Sequence, residues 1–472
     1  MTFARSGKLR DRLSDVNTTR EPLTSPTIET TPSVPTPAIP TDDPRVLREA
    51  LAEPRSIEST GLPQGFLVDL TLKTLYFGGT ITGGQVARAL HLHFTTIIEP
   101  ILRNLKNLQL VEVVGGGSVN PASYQYAITT KGSARAVELL ERNGYVGPCP
   151  VTLKKYTEVT NIQAQKRRQV KAPDVRKAMQ SLVLPEFVIE NIGPAVNAHE
   201  SIFIYGPPGN GKTSVAKAIG RNLLPEQIYI PYAIYEDGQI IRVFDPETHQ
   251  ALDTDTSDLS ESYNPEPLDA RWVCCAPPVI VAGGELTLEV LDLIWNDTSR
   301  YYEAPLQLKA NGGMLIIDDF GRQRVEPREL LNRWIVPLEE KVDYLTFHTG
   351  KKFPIPFEAF IVFATNLSPK SLVDEAFLRR IGHKLGISGP DEAQFRQVFE
   401  RVCSAQDVSF DEITFQHLVQ QYYVGAGRSL SACHPRDLVK HIRNFADYRD
   451  EAAAMTIDLM DKAARAYFAE VF

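Results

Sequence analysis

Residues 201–222 read SIFIYGPPGNGKTSVAKAIGRN, and no other stretch constrains the chain as tightly. "SIFIY" is a short apolar run of buried-strand character, and "SVAKAIGRN" has a helix-forming composition. Between them lies G-x-x-x-x-G-K-T, from Gly206 to Thr213. A strand that turns through glycines straight into a helix aims backbone N–H groups and the positive end of the helix dipole at an anion. Lys212 adds a point charge suited to β- and γ-phosphates, and the Thr213 hydroxyl suits Mg²⁺. Gly206, Pro207, Pro208, Gly209, Asn210, Gly211, Lys212, Thr213 and Ser214 therefore form the candidate nucleotide-binding set, with ATP and Mg²⁺ as the implied ligands.

A second apolar run, Met314 to Ile317, leads into Asp318 and Asp319 within "GMLIIDDFGR". A carboxylate at the tip of a buried parallel strand is where a phosphate-bound Mg²⁺ needs support. Asp318 is the expected metal-side residue beside Thr213. Asp319 is the candidate to orient or activate an attacking water.

From about Leu182 onward the chain resembles the AAA+ ATPases, because further short motifs follow in the order of that family. "FIVFATN" resembles the sensor-1 strand, which implies that Asn366 holds the nucleophilic water. "EAFLRRIGHKLGI" resembles the arginine-finger segment, which implies that Arg379 and Arg380 reach the γ-phosphate of a neighbouring subunit. "CHPRDLVKHI" resembles the sensor-2 helix, with Arg436 facing the γ-phosphate of its own subunit. The family's Asp-Glu pair is Asp-Asp here, one methylene shorter at Asp319. The fold class expected is thus α/β: an AAA+ P-loop core with a parallel sheet and a C-terminal helical lid. The resemblance also implies a homo-oligomeric ring, such as a hexamer, acting on a macromolecular client.

Upstream the pattern differs. From Gly61 to Gly147, three helical patterns precede a strand–turn–strand pattern, "LVEVV" to "YQYAIT", and a last helix, "KGSARAVELLERN". The third helix is expected to open on a Thr96–Glu99 capping box. This order resembles a winged-helix domain. Its lysines and arginines number seven (Lys73, Arg88, Arg103, Lys106, Lys131, Arg135, Arg142) against five acids (Asp69, Glu99, Glu112, Glu138, Glu141). The segment between the two strands carries no basic residue. Phosphate contact needs clustered positive charge, so protein docking is favoured over DNA reading.

The expected organisation is a disordered Pro/Thr/Ser-rich tail over 1–60, the winged-helix-like domain over 61–148 and a basic linker over 149–181. The AAA+ nucleotide-binding domain follows over 182–389, with an insertion at about 233–284, and the lid over 390–472. The insertion contains a hairpin turning at Asp237-Gly238 and an acidic run. By resemblance it lies between the second core strand and a helix near Leu286 to Trp295, facing a ring pore in which Tyr232 and Tyr235 would grip substrate. "VDYLTF" and "FPIPF" read as a further hairpin before sensor 1.

The formal net charge of −8 excludes a general polyanion binder. Five scattered cysteines without a CxxC argue against a disulfide framework or a zinc site. The N-terminus shows no signal-peptide pattern and no run of about 18 apolar residues exists, so a cytoplasmic protein without a membrane span is expected. The expected activity is ATP hydrolysis coupled to remodelling of a client, with the winged-helix-like domain as adaptor. The alternative is an ATP-switched DNA-binding regulator, or a replication- or recombination-type loader with little steady turnover.

Overall fold

A computed structural model of the chain describes residues 44–115, 120–166, 169–253, 267–368 and 379–468. The sequence before Pro44, residues 116–119, most of the acidic run and the "EAFL" stretch lie outside the described residues. The elements below all belong to the compact unit Thr41–Phe472.

The first layer is helical. Helix Gln64–Gly78 buries Leu67, Leu70 and Leu75 and ends at Gly79, whose φ of 67° lets the chain turn away. Helix Gly83–Leu90 opens on a full capping box, Thr82 with Gln85. The next helical stretch starts at Phe94 and continues as Glu99–Asn107, burying Ile98, Ile101, Leu102 and Leu105. Its cap is the His93 ring, which accepts from the Thr96 N–H, so the expected Thr96 cap sits inside the helix. Strands Val111–Gly115 and Gln125–Ile128 pair antiparallel, and a short strand, Ile81–Thr82, adds to the far edge of Gln125–Ile128. Helix Thr130–Arg142 closes the layer. The buried Lys73 ammonium ties its exit to the first helix, donating to the carbonyls of Asn143 (2.9 Å) and Tyr145 (2.7 Å).

The second layer was not legible as such. A five-stranded sheet runs in the order Ile294–Asn296, Tyr301–Glu303, Gln239–Arg242, Ala233–Glu236, Val151–Thr152. The expected hairpin is present, with positive φ at both Asp237 (50°) and Gly238 (78°). Successive strand residues point to opposite faces. Accordingly Ala233 and Ile240 join the core of the helical layer, while Ile234 and Ile241 join a second core. That second core includes Tyr156, Val159 and Ile162 of helix Leu153–Gln165, and Leu345, Phe347, Phe353 and Ile355 from the hairpin Val342–Thr346/Lys352–Pro356.

Five expectations need correction here. The tail does not extend through residue 60: Pro44–Ala50 is a helix, and Ala50 and Leu51 are buried in the second core. The stretch 149–181 is not a linker. Val151–Thr152 is a sheet strand and Leu153–Gln165 a packed helix, whose apolar face is masked in the sequence by Lys154, Lys155 and Glu158 on the other side. The insertion precedes the second core strand rather than following it, and a second excursion after that strand supplies Ile294–Asn296 and Tyr301–Glu303. Only a 3-10 turn, Glu289–Leu291, forms where a helix was expected. Tyr232 and Tyr235 are committed to internal packing: Tyr232 lies edge-on to His91 and Phe244, and Tyr235 packs on Phe66 at 4.7 Å.

The third layer is built around the P-loop strand. Its sheet is wholly parallel, in the order Val279–Ala282, Met314–Ile317, Phe360–Thr365, Ile202–Tyr205, His383–Gly386. The three central strands are buried on both faces, whereas the two edge strands are partly exposed. After it in the chain, helices Glu392–Ala405, Glu412–Leu418, His434–Arg449 and Ile457–Phe468 enclose a separate core built on Phe395, Phe399, Phe415, Leu438 and Met460. This is the small helical lid. Among the described residues no helix is long and apolar enough to cross a membrane.

Candidate functional site

The parallel register aligns the carboxyl ends of the strands, and the loops leaving those ends converge. Ile202–Tyr205 runs into Gly206 (φ 144°), Gly209 (φ 78°) and Gly211 (φ 78°), then into helix Lys212–Asn222. Gly206 has no alternative, since a Cβ there would lie 2.0 Å from the Ile387 carbonyl oxygen. Lys212 is 7% exposed and folds its ammonium over the loop, donating to the carbonyls of Gly206 (3.0 Å) and Pro207 (2.8 Å). Burial pulls its pKa below the ordinary lysine range, and the charges of Asp319 and Asp318 pull it back.

The next strand but one in the sheet delivers Asp318. Its carboxylate accepts from the Thr213 hydroxyl at 2.8 and 3.0 Å, which joins two residues 105 positions apart. Asp319 adopts a left-handed backbone, φ 49°. Its carboxylate accepts from the Asn366 amide at 2.8 Å, at the end of the intervening strand Phe360–Thr365. Gln323 braces this turn: its amide donates to the Asp318 carbonyl (2.7 Å) and its oxygen accepts from the Gly321 N–H (2.8 Å).

A cleft of ≈ 440 Å³ opens over these groups. Pro208 to Ser214, Asp318, Asp319 and Asn366 form its floor, and Arg436, Cys433 and Arg401 reach it from the lid. Arg436 stands on the first turn of helix His434–Arg449, exposed, with its Nε donating to Asp437 at 3.0 Å. Arg401 donates to the carbonyls of Gln180 (2.8 Å) and Leu182 (3.3 Å), fastening the lid to the segment that leads into the core.

The sequence-derived residues thus divide into two groups. Lys212, Thr213, Asp318, Asp319, Asn366 and Arg436 meet at one cleft. Arg379 and Arg380 do not line it. Arg379 is exposed and has no ion pair among the described residues, whereas Arg380 donates to Glu339 at 2.6 Å. Gln323 and Arg401 had no signature: one is a lone amide in a turn, the other one charge among several on an amphipathic helix. Among the described residues no cluster of three or more His, Cys, Asp or Glu could hold a metal by itself.

The P-loop strand thus has the Asp318 and Asn366 strands to one side of it and His383–Gly386 to the other, all parallel. A family profile, "Domain of unknown function (DUF8689)", matches residues 391–466, which is most of the lid. No curated protein sequence matches the chain. Among solved structures the chain is similar to RuvB of Thermotoga maritima, described as a Holliday junction branch migration motor. The identity is 14%, over 60% of this chain and 68% of that one, with a TM-score of 0.34. It is also similar to NtrX of Brucella abortus in complex with ATP, at 14% identity over 60% of this chain and 59% of that one, with a TM-score of 0.37. These are likenesses of fold only.

Proposed function

We propose that the chain is an oligomeric, Mg²⁺-dependent ATPase that couples ATP binding and hydrolysis to remodelling of a macromolecular client. The observation that carries this reading is the bonded pair Thr213–Asp318 beside the bonded pair Asp319–Asn366, over a Gly-rich anion cradle. Lys212 and the loop N–H groups bind the phosphates. Thr213 and Asp318 would hold Mg²⁺, which supplies positive charge against the β- and γ-phosphates. Asp319 accepts a proton or hydrogen bond from the attacking water, and Asn366 fixes the direction of that carboxylate. Arg436 faces the γ-phosphate from the lid and so ties lid angle to nucleotide state. A general-acid role elsewhere in the cleft is not needed, because phosphoryl transfer depends on positioning and charge.

Exchanging Asp319 for Asn removes the acceptor charge and keeps the shape. Asp319→Asn protein is expected to bind ATP with wild-type affinity by calorimetry and to lose on the order of a hundredfold or more in turnover, the scale of general-base loss. Wild-type turnover would remove Asp319 from the mechanism.

The helical layer, Gln64 to Arg142, is read as a winged-helix adaptor that docks protein. In support, Arg103 on the outward face of helix Glu99–Asn107 is already paired with Glu99 at 2.8 Å, leaving Lys106 as the other cation of that helix. Each phosphate contact steepens salt dependence by a log–log slope of about −0.9. The full chain should therefore shift a DNA duplex only weakly and without sequence preference. Tight, sequence-selective binding at moderate salt would instead support the DNA-binding regulator.

A further inference from the structure

Asn210 occupies one of the four unspecified positions of G-x-x-x-x-G-K-T, and it is 4% exposed. It does not turn toward the phosphate cradle. Its side-chain oxygen accepts from the Ala432 backbone N–H at 3.0 Å and from the Ser431 hydroxyl at 3.3 Å, both in the lid, while its amide donates to Pro207 at 3.4 Å. The loop and the lid are built to meet at this point. A Cβ on Gly209 would lie 2.5 Å from Cys433 Sγ, and one on Gly389 would lie 2.5 Å from the Leu430 carbonyl oxygen. Ser431 and Ala432 lead directly into helix His434–Arg449, which carries Arg436 on its first turn.

We propose that Asn210 is a positioning residue: it latches the P-loop to the lid and thereby sets where Arg436 stands over the nucleotide. The proposal rests on the ATPase reading for its effect on turnover, but the latch itself does not. Because the latch involves a P-loop side chain, any shift of the loop around bound phosphates is passed to the lid through Asn210 as well as through Arg436. Arg401 fastens the lid a second time, to the carbonyls of Gln180 and Leu182, so the lid is held at two points. Loss of the Asn210 acceptor frees one of them.

Two measurements on the full chain test this. Hydrogen exchange at the Ala432 amide should speed up about tenfold in Asn210→Ala, the effect of losing one buried hydrogen bond. It should stay slow in Asn210→Asp, which keeps the acceptor. In turnover, Asn210→Ala should lose about tenfold in kcat with little change in KM. The double variant with Arg436→Ala should be no worse than Arg436→Ala alone, because one residue acts through the other. Unchanged exchange at Ala432 in Asn210→Ala overturns the latch. Losses that multiply in the double variant overturn its action through Arg436. If Arg436→Ala alone turns over like wild type, the ATPase role of Arg436 fails, and the exchange result still decides the latch.

Discussion

Lys212→Ala protein is expected to bind ATP far more weakly than the wild type. The ammonium sits over the loop at the helix N-terminus, bonded among the described residues to the carbonyls of Gly206 and Pro207, so it can move to a phosphate oxygen by exchanging one set of acceptors for a charged one. A hydrogen bond to a charged group is worth about 1.5–3 kcal/mol, which corresponds to roughly ten- to a hundredfold in affinity. The fold should survive, because burial already disfavours the charge on Lys212 and its removal leaves no ion pair broken. Calorimetry on the variant gives the answer. Affinity equal to wild type would remove the cradle from the account.

The second large effect concerns Arg379. It lies outside its own cleft, is exposed, and is unpaired among the described residues, whereas its neighbour Arg380 is held by Glu339. If the site is completed by an adjacent subunit, Arg379 is the group free to do it. Arg379→Ala should keep ATP binding and lose on the order of 10³-fold in turnover, the scale of an arginine finger. Arg380→Ala should lose far less, because Arg380 is already engaged within its own subunit. The trans arrangement has its own signature. Arg379→Ala and Lys212→Ala proteins, each inactive, should recover partial activity when mixed, since some interfaces then pair an intact cradle with an intact finger. A mixture that stays inactive, although sedimentation shows the two proteins in one assembly, would exclude a shared site.

Much of this site was legible because its motifs are local. A strand running into a glycine loop and a helix, or a strand ending in Asp318-Asp319 or Asn366, announces itself within ten residues. The parallel register then does the assembly, aligning Ile317 with Phe363 and Thr365 with Tyr205. Features that depend on distant pairing were hidden. Ile228–Pro231 pairs antiparallel with Trp272–Cys275, outside the parallel sheet and more than thirty residues away in the chain. Val151–Thr152 joins a strand more than eighty residues later, and a two-residue strand has no periodicity to detect. The Arg380–Glu339 pair separates two arginines that look equivalent in sequence. Asn210 reaches Ala432 across 222 residues, and nothing in the loop motif marks its variable position for that contact.

The hydrolysis claim is tested most directly by steady-state phosphate release from the full wild-type chain supplied with ATP and Mg²⁺. The site geometry predicts continuous release, many phosphates per subunit, that stops when Mg²⁺ is chelated and rises per subunit as protein concentration drives assembly. Tight ATP binding with no release beyond a single phosphate per subunit, at every protein concentration, would contradict it and leave a nucleotide-bound switch in its place.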